Sequence, residues 1–236
     1  MTRRRWIADE VSGNRAALVG GHADHLIRVL RARIGQEFDI AAGNNLRRGR
    51  ISRMGDSRVE FELGEELPAV GALRVTLVLA IFKFDRMEWA IEKCTELGVA
   101  RIVPVIARRT DSHLATAAVK RVERWQRIAR ESSEQARRVS PLEIESPLKF
   151  REAVGLPGAL RIVLSESEGS LLLKDAIKTY AEGELILAVG PEGGWTEEET
   201  AAFQESGWIS ASLGNTILRA ETAAIAAVAV AISELG

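Results

Sequence analysis

Disulfide and metal chemistry are the first things this sequence lacks. A single cysteine, Cys94, excludes an intramolecular disulfide, and with His22, His25 and His113 as the only histidines no Cys/His cluster has metal-ligand spacing. No metal site is therefore expected, and a reduced compartment is. The N-terminal stretch MTRRRWIADEV has no apolar signal core, and no run approaches the roughly 20 apolar residues of a membrane span. The expectation is a cytoplasmic protein without membrane association. Two phosphate-binding patterns are missing as well: no GxGxxG follows an apolar strand and no GxxxxGK[ST] occurs.

A global charge excess is also absent, since the 236 residues sum to a formal charge of −1. The distribution is uneven, however. Residues 1–58 and 100–140 are each +6, whereas 59–99 are −4 and 141–236 are −9. Local basic blocks suit a nucleic-acid surface, and a solvated face with in-helix ion pairs is the other reading of the same residues. Pairs such as Arg127 with Glu131 and Arg130 with Glu134 favour the solvated face for those four.

What is present reads as two parts. In the first seventy residues, HADHLIRVLRARIG (22–35) has helical spacing at Leu26, Val29 and Leu30, with arginines opposite. Around it, residues 38–40, 50–53 and 59–63 alternate with period two between tight turns, which predicts a small β-barrel. A break is expected at 65–71, where acids, Pro68 and Gly71 interrupt the pattern, giving domains 1–70 and 71–236. From residue 73 apolar runs alternate with helical segments: strands in LRVTLVLAIF, RIVPVIA, LRIVLSE and ELILAV and one ending at Ser212, helices over 84–97, 116–138, 170–182 and 196–206, and a final helix. That order predicts an α/β domain on a parallel sheet, with ligands at the loops after Glu166, Val189 and Leu213. Trp89, Trp125 and Trp208 fall in regular elements and are expected in the core, as is Cys94; Trp6 is expected to anchor the first strand.

The stretch LAVGPEGGW (187–195) runs from an apolar strand into Thr196 and three glutamates, TEEE. Thr196 and Glu199 have capping-box spacing, so the helix caps itself, and the crowded glutamates would repel a phosphate. Gly190, Gly193 and Gly194 allow close backbone approach, which fits a neutral or cationic ligand or else a tight turn alone. A second glycine stretch, SLGNTILRAET (212–222), opens an alanine-rich helix suited to a core or an interface. Arg219 and Glu221 at its entrance could form a salt bridge or cap, or stabilise substrate charge.

Together these stretches, with HLIRVLRARIGQEF, KFDRMEWAIEKCTELGV, RIVPVIARRT and ERWQRIARESSEQARR, resemble the RsmE family of 16S rRNA uridine-N3 methyltransferases, in the SPOUT superfamily. The resemblance covers nearly the whole chain. It implies an N-terminal PUA-like RNA-binding β-barrel and a SPOUT-type parallel sheet with a C-terminal deep trefoil knot, homodimeric through the knot region. It also implies an S-adenosylmethionine site made by three loops: Leu164 and Ser165; Val189, Gly190, Glu192 and Gly194; and Leu213, Gly214, Asn215, Ile217 and Leu218, with Thr222 beyond. The sulfonium cation of that cofactor agrees with the acidic surroundings. Many relatives carry arginine at the position of Thr216, so one positive charge near the substrate is absent here.

For such a reaction Arg219 is the expected catalytic residue, a fixed donor to a uracil carbonyl or a nearby phosphate; being always protonated, it is no base. Glu221 is expected to orient Arg219 or to act as a helix N-terminal charge. Contacts to 16S rRNA in the small ribosomal subunit fall to Arg3, Arg4, Arg5, Arg28, Arg31, Arg33, Arg109 and Arg138, which give affinity rather than sequence choice. A SPOUT enzyme acting on another rRNA or tRNA nucleotide, and an RNA-binding assembly factor without catalysis, are the competing readings; binding of S-adenosylmethionine separates the last from the others.

Overall fold

The computed structural model describes residues 5–43, 45–67, 74–136, 138 and 140–235. The chain divides into two compact units, Met1–Gly71 with Ser133–Pro141, and Ala72–Ser132 with Leu142–Gly236. Residues 68–73, which span most of the expected break, lie outside the described residues. The grouping of Ser133–Pro141 with the first unit has no counterpart in the sequence reading. One contact it makes is an approach of His22 Nε2 to Glu134 at 3.4 Å, where the sequence had paired Glu134 with Arg130.

The first unit comprises β1 (Arg5–Ile7), β2 (Glu10–Ser12), β3 (Arg15–Val19), α1 (Gly21–Asp24), β4 (Glu37–Ala42), β5 (Asn45–Gly55) and β6 (Arg58–Glu66). They form one sheet in the order β1-β4-β5-β6-β3-β2, antiparallel except for β1 on β4. Its two edge strands are consecutive in the chain. Between them the Ala8 amide bonds to Ala41 on β4 (2.9 Å) and the Asp9 amide to Ala17 on β3 (3.0 Å), so the sheet curls toward its own edge. Register shifts near Arg48 and Ser52 on β5 add curvature of the kind that bulges produce. Val59, Phe61 and Leu63 of β6 point into the core with Leu18, Leu26 and Ile40, and the glutamates between them point out, as the alternation required. Trp6 packs its ring against His22 and His25, at centroid distances of 6.3 and 5.7 Å.

The expected helix over 22–35 is much shorter. After α1 the chain makes a π-helical turn at His25–Val29, closed by the Leu30 amide on the His25 carbonyl (3.1 Å), and leaves helical geometry at Arg31, whose φ is +48°. The Ala32 amide reaches back to Leu26 (3.1 Å), a C-terminal closure that satisfies a carbonyl which would otherwise be orphaned. Apolar spacing gave no sign of this stop because the stop lies in backbone hydrogen bonding at a non-glycine residue. Consequently Arg31 and Arg33 are loop residues, and only Arg28 stays on the helical turn.

The second unit contains β7 (Arg74–Ala80), α2 (Phe84–Glu96), β8 (Arg101–Ile106), α3 (Ser112–Gln135, whose end belongs to the first unit), β9 (Glu143–Ile144), β10 (Leu148–Lys149), α4 (Phe150–Val154), β11 (Leu160–Leu164), α5 (Leu173–Ala176), β12 (Glu184–Val189), α6 (Glu197–Glu205), β13 (Ile209–Ala211) and α7 (Ala220–Leu235). All strands are parallel, in the order β10-β8-β7-β12-β11-β13 with β9 also on β8. Alternate residues serve two cores. Val75, Leu77 and Leu79 of β7 and Leu185, Leu187 and Val189 of β12 meet α2, α3, α5 and α7; Val78, Ile186 and Ala188 meet α4 and α6 on the other face. This double coverage explains why the strands read as continuous apolar runs. Pro104 is tolerated inside β8 because β9 pairs at 101–102 and β10 at 105–106, leaving it between the two outer partners.

Three departures from the sequence reading have physical causes. Residues 142–160 carry β9, β10 and α4, too short to show periodicity. The helix expected over 170–182 is a single α-turn followed by a 3₁₀ turn, since Leu172 is held in a parallel bridge to Ser212 and the chain is extended again by Tyr180. Trp89 is not a core residue: Met87, Ala90, Ile91 and Cys94 form the buried face of α2, and Trp89, 47% exposed, lies opposite. Trp125 and Trp208 are buried as expected, and burial pushes the Cys94 thiol up to about 12.

Gly49 is the position where the first unit least tolerates a side chain, because a Cβ there would stand 2.3 Å from Cγ1 of the fully buried Ile40. Overpacking of this kind costs roughly 1–3 kcal/mol. Gly49→Ala is therefore expected to lower the unfolding midpoint in urea by a corresponding amount, and an unchanged midpoint would show that the core yields at Ile40.

Candidate cofactor and active site

The loops at the carboxyl ends of β11, β12 and β13 converge on one cavity of about 480 Å³. Leu164, Ser165 and Glu166 come from the first loop, Val189, Gly190 and Gly194 from the second, and Leu213, Gly214 and Leu218 from the third. This is where an open parallel sheet binds ligands, next to a strand that the chain inserts between two earlier ones: β12 lies between β7 and β11. Residues of α6 one turn apart, Glu197, Thr200, Ala201 and Gln204, form a further wall.

The three glycines of the second loop have different reasons. A Cβ on Gly190 would lie 3.3 Å from the Trp195 ring, one on Gly193 would lie 3.2 Å from Cδ of Arg109, and Gly194 has φ +69°. Trp195 is steadied by Phe150 and Phe203, with ring centroids 5.9 and 5.0 Å away, and its Nε1 is buried without a hydrogen-bond partner. At the start of α6 the expected capping box is present. The Thr196 hydroxyl accepts from the Glu199 amide (3.2 Å), and Glu199 Oε2 accepts from the Thr196 amide (2.9 Å). Its other oxygen, Oε1, accepts from the Arg108 amide (2.7 Å).

Electrostatically the cavity is one-sided. Glu166, Glu192 and Glu197 line it, and no lysine or arginine does among the described residues. With the Thr196 and Glu199 amides taken by the cap of α6, the wall offers mainly carboxylates, hydroxyls and loop backbone. An anion would be repelled there, and a ligand with positive charge fits.

Ten of the twelve residues expected at the cofactor line this cavity: Leu164, Ser165, Val189, Gly190, Glu192 and Gly194, then Leu213, Gly214, Ile217 and Leu218. Asn215 and Thr222 do not; both are exposed, Asn215 at the tip of the third loop and Thr222 on the outer side of α7. The sequence reading missed Thr200 and Gln204, although their spacing from Glu197 along a predicted helix would have placed them on one face.

The RNA methyltransferase domain family matches residues 70–232. Ribosomal RNA small subunit methyltransferase E of Synechocystis is 34% identical over 87% of this chain and 68% of its own length. The protein of that name from Mycobacterium tuberculosis is 32% identical over 95% and 87%. A crystal structure of ribosomal RNA small subunit methyltransferase E from Neisseria gonorrhoeae, bound to S-adenosyl methionine, aligns with TM-score 0.76 and 30% identity over 96% of this chain and 95% of that one. This chain belongs to the ribosomal RNA small subunit methyltransferase E family.

In this member of the methyltransferase E family, Arg219 is exposed just ahead of α7 and outside the cavity lining, with no ion-pair partner among the described residues. Glu221 does not orient it. Its carboxylate is buried, 5% exposed, and Oε1 faces Nε of Arg86 on α2 at 3.7 Å, so it serves as a charge in the first turn of α7 held by another helix. Of the arginines expected at RNA, Arg3 and Arg4 lie outside the described residues. Arg5 is half-buried in β1, Arg28 is exposed 3.8 Å from Asp24, and Arg31 and Arg33 are exposed. Arg138 is half-buried, and burial pulls its guanidinium down to about 10. Arg109 is engaged with the second loop: its Nη1 donates to the Gly193 carbonyl and, at 3.4 Å, to that of Trp195.

Removing the cap of α6 tests how far this wall depends on it. Thr196→Ala deletes one helix-capping acceptor, and about 1 kcal/mol of stability is expected to go with it in urea titration; no measurable change would mean that Glu199 and Arg108 hold the helix start without the hydroxyl.

Proposed function

We propose that this protein methylates N3 of a uridine in the 16S RNA of the small ribosomal subunit, with S-adenosylmethionine held in the cavity between the three loops. The observation that carries the proposal is the cavity's charge: three lining carboxylates and, among the described residues, no lining cation, at loops of bare backbone. These residues fit the cofactor, which is a sulfonium cation without phosphate. Glu166, Glu192 and Ser165 are the polar side chains to hold it, with Gly190, Gly194 and Gly214 admitting its approach to the main chain; Gly214 has φ +126° and open space where a side chain would stand. When bound, the cofactor supplies an electrophilic methyl group.

The chain's own part is to position and to stabilise charge. Uridine N3 must lose its proton and face the methyl carbon in line, while negative charge gathers on O2 and O4. Arg219, unpaired among the described residues and next to the third loop, is the donor suited to that charge. Through Arg86, Glu221 fixes the first turn of α7 on which Arg219 depends.

The remaining parts of the proposal follow the same family reading. The curled six-stranded sheet is a PUA-like domain that, with Arg5, Arg28, Arg31, Arg33 and Arg138, meets rRNA. The C-terminal loops form a deep trefoil knot, supported by the insertion of β12 between β7 and β11. The protein works in the cytoplasm as a homodimer through the knot region. Support for the dimer comes from α7, where Thr222, Ala229 and Ser233 are exposed along an almost uncharged helix, and from Ile217, 82% exposed on the third loop.

Mass spectrometry of 16S rRNA from a strain lacking the gene is expected to show the loss of one N3-methyluridine, and an unchanged spectrum would reject the proposal. Arg219→Ala is expected to abolish turnover while affinity for S-adenosylmethionine, measured by calorimetry, stays within several-fold. Equal loss of both would make Arg219 structural.

A further inference from the structure

We propose that Arg109 is a positioning residue for the second cavity loop, acting on cofactor affinity through Gly193 and Trp195 and not by contact with RNA. The inference rests on the cavity being the S-adenosylmethionine site. Among residues 189–195, Gly193 alone does not line the cavity. It is turned to Arg109 instead, whose stem lies over it: a Cβ on Gly193 would meet Cδ at 3.2 Å and Cβ at 3.7 Å. The guanidinium gathers the Gly193 and Trp195 carbonyls on that outer side, while Glu192, Gly194 and Trp195 face inward.

The anchor is itself fixed to the sheet. Arg109 belongs to a turn in which the Thr110 amide bonds to the Ala107 carbonyl (3.1 Å) and the Thr110 hydroxyl both accepts from the Ala107 amide (3.1 Å) and donates to Ile81 at the end of β7 (3.2 Å). Its neighbour Arg108 holds Glu199 of the α6 cap. Two consecutive residues thus grip the chain on both sides of Trp195. A loop with three glycines loses much conformational freedom when it closes on a ligand, and an outer clamp removes part of that freedom beforehand. Both carbonyls are met by Nη1 alone, so Nη2 and Nε keep their donors, and a clamp and a phosphate contact are told apart by which ligand's affinity the residue controls.

The test is a mutant cycle read by two ligands. Arg109→Ala is expected to raise the Kd for S-adenosylmethionine about tenfold in calorimetry. Affinity for a 16S rRNA transcript, and its salt dependence between 50 and 200 mM, should stay unchanged. A phosphate contact would do the reverse, leaving the cofactor Kd alone and reducing the salt slope by about one; that result overturns the proposal. Gly193→Ala gives a second arm, because its methyl matters only if Arg109 lies where the structure has it. In the otherwise unaltered chain it should weaken S-adenosylmethionine several-fold, and in the Arg109→Ala background it should add less than twofold; additive effects, or no effect of Gly193→Ala alone, overturn the proposal. Should Arg109→Ala fail to fold, Gly193→Ala alone decides. If the unaltered chain binds no S-adenosylmethionine, the functional reading falls first and this inference with it.

Discussion

A cavity whose charged walls, among the described residues, are all carboxylates sets the chemistry of everything around it. Glu166, Glu192 and Glu197 create a negative potential that bulk solvent only partly relieves, because the three loops surround the space on several sides. A helix N-terminus normally supplies compensating partial positive charge, and at α6 that charge is reduced: the Thr196 and Glu199 amides are taken by the capping box, and Glu197, Glu198 and Glu199 all sit in the first turn. The site is therefore selective by charge before any shape is considered. A methyl donor that is itself a cation is favoured, and phosphate-bearing cofactors of the same size are not.

Strand order fixes where these walls stand. β12 lies between β7 and β11, and β13 is added outside β11, so the three carboxyl ends belong to adjacent strands, β12, β11 and β13. The cost of such an arrangement is that each of these strands must be apolar on both faces, and Leu187 against one core with Ala188 against the other shows the requirement met at adjacent residues. Alanines in α7 at 220, 224, 227 and 231 let that helix lie close on the same face, which brings Arg219 and the buried Glu221 to the mouth of the third loop.

Patterns that repeat were legible in the sequence; single geometries were not. The α/β alternation, the capping box at Thr196 and the convergence of loops after Glu166, Val189 and Leu213 all follow from periodicity or from residue types at fixed offsets. The stop at Arg31 does not, since a non-glycine residue at positive φ carries no compositional mark. Nor does the exposure of Trp89: hydrophobic spacing defines a face, and a large aromatic one position off that face reads as core unless the buried set Met87, Ala90, Ile91 and Cys94 is weighed against it. The partner of Glu221 was invisible for another reason. Arg86 lies 135 positions away, and pairing across such a distance depends on how α2 meets α7.

Net charge by sequence block also proves a coarse measure, and the reason is β pairing. The first block's surplus of arginine is partly answered within the sheet. Arg15 stands opposite Glu62, Glu62 opposite Arg50, and Arg50 opposite Glu37, while Arg48 lies 3.4 Å from Asp39 and 3.7 Å from Glu37. Opposite charges in register stabilise the ladder modestly and leave little field beyond it. Arginines in the loop after the π-helical turn have no such ladder: Arg31 and Arg33 are exposed, whereas Arg48, from the same basic block, is half-buried beside Asp39 and Glu37.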